Sequence, residues 1–155
     1  MKRLAYLFAF VFVVVGCNKD DSTRFSSRVQ KALNSIVGVW ENKGTDYVET
    51  ITITAYEVPT EIQPSSPDCL SMIFHGTMLT EFVHIDGGGV SSYLPCYFII
   101  SPENNEIHTY GINPNQTWSN DPTIVYDYEI IDTNTIMLHD QRLSSLDEKI
   151  YKRKQ

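Results

Sequence analysis

No lysine or arginine lies between Lys43 and Arg142, a stretch that holds fourteen aspartates and glutamates. A protein that tracks a phosphate backbone needs clustered cations, so this absence argues against nucleic acid as a partner. It argues equally against docking by charge onto anionic lipid heads. Long apolar runs are also missing. The longest, Leu4 to Val15, covers twelve residues, and a helix needs about 20 to span a bilayer. Cysteine is scarce, with three in 155 residues. There is no Gly-x-Ser-x-Gly, no His-Glu-x-x-His and no Cys-x-x-Cys, the patterns that would point to a nucleophile, a metal centre or a redox pair. His75, His84, His108 and His139 are scattered over four separate places. The chain therefore reads as a protein that is not an enzyme and that uses no metal or cofactor.

What is present begins with an address. Lys2 and Arg3 precede the apolar run, and Val14-Val15-Gly16-Cys17 closes it. A positive start, a short apolar stretch and a small residue before the cut are the parts of a secretory signal. Val14-Val15-Gly16-Cys17 resembles the lipobox of bacterial lipoproteins, in which the cysteine is acylated and becomes the first residue of the mature chain. Asn18-Lys19-Asp20-Asp21 resembles the surface-export signal of Bacteroidetes-type lipoproteins. The resemblance implies a signal peptide over 1–16, an acylated tether over 17–23 and a folded domain over 24–155. It also implies that Cys17 holds the protein on the outer membrane, exposed at the cell surface. Removing Lys2 and Arg3 leaves ten basic residues against nineteen acidic, a net charge of −9, which suits solubility at a crowded surface.

With Cys17 assigned to the lipid, Cys69 and Cys96 remain as an even pair in an oxidising compartment. A bridge between them would close a loop of 28 residues, worth roughly 3–4 kcal/mol by chain entropy. Two free thiols are the alternative.

After the tether the pattern is helical. Phe25, Val29, Leu33 and Ile36 form one apolar stripe, Ser22 or Thr23 is placed to cap its start, and Gly38 to end it. From there the chain reads as strands. Val39–Lys43 is short, and Glu49–Thr54 alternates with isoleucine in and threonine out. Leu70–Ile85 is interrupted at Gly76, as one bent strand or two. Asp86-Gly87-Gly88-Gly89 is a hairpin turn. Ser92–Ile100 follows, with Pro95 marking an edge or a bulge. Ile107–Ile112, Thr123–Ile131, Thr135–His139 and Glu148–Arg153 complete about eight strands. Eight antiparallel strands of this length close into a small barrel, which removes exposed edges. The polar residues Asp127, Glu129 and the Thr50-Thr52-Thr54 row do not fit the apolar outer face of a membrane barrel.

Two places resemble the lipocalin-like domains of Bacteroidetes lipoproteins. One is Ile36-Val37-Gly38-Val39-Trp40, a Gly-x-Trp entering the first strand after a short helix. The other is the ending, Tyr128 to Leu138 and then Ile150-Tyr151-Lys152-Arg153. The resemblance covers the two ends of the domain. It implies an all-β, about eight-stranded antiparallel barrel preceded by a short N-terminal helix. It also implies that Trp40 plugs the closed end and Arg153 stacks on it.

Binding is then the expected role, and two ligand classes compete. A small hydrophobic ligand would use the barrel interior, where Met72, Phe74, Met78 and Phe82 share one face of a regular strand; the same side chains could instead simply fill the barrel. A glycan would use the loop aromatic Trp118, with Asn115, Gln116 and Asn120 beside it and Tyr110 at its base. A protein-facing role as an accessory subunit of a surface complex would use the same loop.

Overall fold

The computed structural model describes residues 25–63, 71–93, 95–111, 121–144 and 147–155. The proposed leader, Cys17, Cys69 and the Trp118 loop lie outside the described residues. One helix, α1 (Ser27–Ile36), precedes nine strands: β1 (Gly38–Lys43), β2 (Tyr47–Ile62), β3 (Met72–His84), β4 (Val90–Ser92), β5 (Cys96–Ser101), β6 (Glu106–Gly111), β7 (Ile124–Asp132), β8 (Thr135–Asp140) and β9 (Lys149–Arg153). Every pairing is antiparallel. Around the ring the order is β1, β2, β3, β5, β6, β7, β8, β9, and β9 returns to β1. The result is a closed eight-stranded barrel with β4 as a short extra strand on β3. This is the architecture expected from the sequence and is consistent with a lipocalin-like barrel. No helix among the described residues is long and apolar enough to cross a membrane.

The alternation read in β2 is realised: Ile51 and Ile53 are buried while Thr50, Thr52 and Thr54 are not. With Trp40, Met78, Phe98, Ile100, Ile107, Ile136, Leu138 and Tyr151 they form the interior core. Pro95 acts as a strand breaker, because it has no N–H to give to a ladder. It stands between β4 and β5, where a single strand from Ser92 to Ile100 was expected. The glycine turn joins β3 to β4. Gly87 and Gly89 adopt positive φ, and Gly88 N–H donates to Asp86 Oδ1 at 2.9 Å.

Helix α1 is capped by Ser26, whose hydroxyl accepts from Val29 N–H at 3.3 Å, so neither Ser22 nor Thr23 is the cap. Leu33 and Ile36 are buried in the interior cluster, with Phe25, Val29 and Ala32 packed against it. Arg28 reaches Glu103 in the β5–β6 turn at 3.8 Å. The starts of β1, β3, β6 and β8 lie at the same end as that turn, so α1 covers one end of the barrel.

At that covered end Trp40 is fully buried and donates Nε1–H to Ile36 O at 2.7 Å. The Arg153 guanidinium lies 4.1 Å over its ring, within the range of an attractive cation–π contact. Its nitrogens donate to Val37 O at 2.8 Å, Ser35 O at 3.0 Å and Thr133 O at 3.1 Å. The helix end, the β7–β8 turn and the strand pair β1–β9 therefore meet on one side chain. A Cβ at Gly38, whose φ is +141°, would stand 2.5 Å from Arg153 Nη1.

The largest break in ladder register lies between β2 and β3, with the extra residues on β2. Register against β2 slips between Ala55 and Thr60, so that Tyr56 to Pro59 face little more than His75. Gly76 lies so close to β2 that a Cβ would strike Thr54 O and the Phe98 ring. His75 Nδ1 accepts the Ile100 N–H at 3.0 Å in place of a ladder carbonyl, and burial holds its pKa below the usual histidine range.

Candidate functional site

The slip at Gly76 decides which aromatic residues can meet a ligand. Beyond it, Phe74 leaves the interior and packs in a second cluster with Tyr110, Tyr97, Tyr56, Ile62, Met72 and Ile99. Phe74 stacks on Tyr97 at 4.8 Å between centroids and meets Tyr110 edge-on at 5.4 Å. A strict period of two would have set Met72 and Phe74 on the same face as Met78 and Phe82; the bend separates them. Tyr110 is 5% exposed, and burial raises its pKa. Trp118 and its neighbours lie outside the described residues.

Met78 and Phe82 do meet, in a cavity of about 780 Å³. Its walls come from the first residues of β2 and β9, the last of β3, β6 and β8, and the start of β7. It therefore opens at the end opposite α1. Met78, Phe82, Ile124, Tyr126, Leu138 and Tyr151 supply apolar surface, with Tyr93 at the rim. Phe82 is held edge-on between Tyr47 at 5.2 Å and Tyr93 at 5.5 Å. The volume falls within the range of small-molecule sites, about 300–1,000 Å³.

One wall is polar. Glu49 is 5% exposed and accepts from Lys149 Nζ at 2.8 Å. The Tyr151 hydroxyl also donates to that carboxylate; burial, and then the negative charge of Glu49, push the tyrosine pKa far up. Tyr126 is raised as well, by burial first and then by Asp140. Nearer the rim, Arg142 Nη2 reaches Asp140 Oδ2 at 2.7 Å and Nε reaches Oδ1 at 3.0 Å. This bonding holds the Asp140 carboxyl below the ordinary carboxylate range.

Cys96 also lines this cavity. It is a free thiol whose Sγ donates to Met78 O at 3.3 Å, so the bridge expected to Cys69 is not found. Burial pushes its pKa up to about 11. A thiol kept protonated is a weak nucleophile. Among the described residues, no three His, Cys, Asp or Glu side chains group in a way that could hold a metal ion.

Sequence reasoning missed the polar wall. One signal was available: Glu49 shares its face with Ile51 and Ile53, and Lys149 shares its face with Tyr151. A charged residue on the inward face of a strand asks for a partner. Which strand supplies it depends on closure of the barrel. Compared with known proteins, the chain matches no family model, no curated protein and no solved structure.

Proposed function

We propose that this protein is a surface lipoprotein whose barrel carries a small hydrophobic ligand in the cavity at its open end, without chemistry. The observation that carries the reading is the 780 Å³ space walled by Met78, Phe82, Ile124, Tyr126 and Leu138. Such a barrel interior is usually filled by its own side chains, or else holds one small ligand. Here α1, Trp40 and Arg153 occupy one end and the space lies at the other. The lipid on Cys17 would tether the barrel to the outer membrane, and Asn18 to Asp21 would direct it to the outer face; both assignments rest on the sequence motifs.

The test uses mature protein purified from its own cells without detergent, with Cys17 replaced. Mass spectrometry of a denatured extract is expected to find a stoichiometric apolar molecule. A well-folded sample with nothing bound, and with no uptake of a neutral fluorescent probe, would overturn the carrier reading. The anchor is tested separately: replacing Cys17 should move the protein from the membrane fraction to the soluble one.

A further inference from the structure

If the cavity is a ligand site as proposed above, its charged groups define the kind of ligand. Five charged side chains line it: Glu49, Asp140 and Asp147 against Arg142 and Lys149. Both cations are already engaged. Lys149 Nζ is spent on Glu49 at 2.8 Å. Arg142 places Nε and Nη2 on Asp140, and its backbone N–H bonds the same carboxylate at 3.0 Å. The third acid differs. The Asp147 carboxylate accepts the Ser144 hydroxyl at 2.9 Å and has no ion pair among the described residues.

An incoming carboxylate meets Lys149 and Arg142 with their charge already balanced by Glu49 and Asp140, and it adds a like charge beside those acids. If it took Lys149, Glu49 would be left buried without its counter-charge, a costly state. An incoming ammonium meets no such obstacle. It finds Asp147 uncompensated at the rim, and the lone pairs of Glu49 and Asp140 not used by their partners. Four aromatic rings, Phe82, Tyr93, Tyr126 and Tyr151, line the same space, and aromatic faces attract cations. The acidic chain around the mouth raises the local concentration of cations and lowers that of anions.

We infer that the cavity selects an amphipathic cation, an apolar body carrying an amine or quaternary ammonium, over an amphipathic anion of the same size. The apolar part sits among Met78, Phe82, Ile124 and Leu138, and the cationic end faces Asp147 and the Glu49–Lys149 pair.

The test is displacement of neutral N-phenyl-naphthylamine from the mature, Cys17-replaced protein at neutral pH, by decylamine, decyl alcohol and decanoate. Decylamine is expected to compete at least about ten-fold better than decanoate, with the alcohol between them. In Asp147→Asn the ratio of amine to alcohol affinity should fall about three-fold. In Glu49→Gln it should fall further; if that variant does not fold, Asp147→Asn alone decides. Decanoate competing as well as decylamine, or an unchanged ratio in Asp147→Asn, overturns the selectivity while leaving the carrier reading intact. Failure of the neutral probe to bind at all removes the carrier reading, and this inference with it.

Discussion

Glu49 and Lys149 stand 100 residues apart in the chain and meet at 2.8 Å on the wall of the barrel cavity. Glu49 is buried, whereas the Lys149 side chain is about a third exposed (36%), so the pair is partly solvated. Lys149→Met is expected to cost about 1–3 kcal/mol, below the range for a fully buried pair. Glu49→Gln combined with Lys149→Met should recover part of that loss, because no charge is then stranded. Urea unfolding of the two single variants and the double variant measures the coupling. Strictly additive losses would show that the two side chains do not support one another.

At the covered end, Arg153→Met keeps the aliphatic stem but removes three hydrogen bonds to carbonyls and the contact over Trp40. A loss of about 2–4 kcal/mol is expected. Arg153→Lys should recover little, since an ammonium cannot reach Val37, Ser35 and Thr133 with a planar fork. Thermal unfolding of both variants is the measurement. A lysine variant as stable as the parent would mean that charge alone matters there.

Gly38→Ala places a methyl group against the same guanidinium, at a φ of +141° that L-residues rarely adopt. The strain and the displaced Arg153 together should lower stability by about 1–3 kcal/mol. Combining Gly38→Ala with Arg153→Met should cost less than the sum of the two. Equal additivity in chemical unfolding would separate the backbone effect from the arginine.

Cys96 gives a pH dependence with a definite sign. Its thiol has a pKa near 9.0 when free and about 11 in the fold. Between these values the unfolded chain gives up its proton first, so the folded state binds more protons. Stability is intact below about pH 9 and declines as the pH rises toward 11. Comparing the parent with Cys96→Ala should show a steeper alkaline loss in the parent, on the order of 1 kcal/mol by pH 10.5. Iodoacetamide should label Cys96 slowly at pH 8, with a rate that climbs toward pH 11. Rapid labelling of the folded protein at pH 8 would contradict the buried thiol.

Filling the cavity is the most direct test of its use. Thr80 lines the space from β3, and Thr80→Trp adds an indole to it. The variant should stay folded, with a stability change within about 1–3 kcal/mol, and lose uptake of the neutral probe. Retained uptake in a folded Thr80→Trp protein would put the probe elsewhere.

The strand pattern carried much of the fold because burial and chemistry agree along most strands. Ile51 and Ile53 point in, Thr50 and Thr52 do not, and the glycine turn falls where the chain reverses. Pro95 was legible as an edge or a bulge; that it instead divides β4 from β5 depends on what β3 offers as a partner. The candidate site was less legible. Phe74 and Met78 are four residues apart and would share a face in any strand of regular pairing and bend. Only the close approach of Thr54 and Phe98 to Gly76, a tertiary fact, shows why they part. The ion pair of Glu49 with Lys149 has the same origin: each residue signals an inward charge, and neither names its partner. The bridge expected between Cys69 and Cys96 rested on their even number and on an oxidising compartment. Cys96 turned inward beside Met78 is a consequence of strand parity that a count does not see.

The position of β9 in the ring bears on how the molecule comes to exist in time. Of the nine described strands β9 is made after the other eight, yet it pairs with β8 on one side and β1 on the other, and 116 residues separate Val37 from the arginine that holds it. A chain growing from its N-terminus therefore carries two unsatisfied strand edges, on β1 and β8, until β9 arrives. Such edges are where chains join wrongly to one another, and closure across so long a separation is slow. Lys149 and Tyr151 belong to that same segment, so the cavity has no complete wall before the ring shuts, and its capacity to hold a ligand arises in the step that completes the fold.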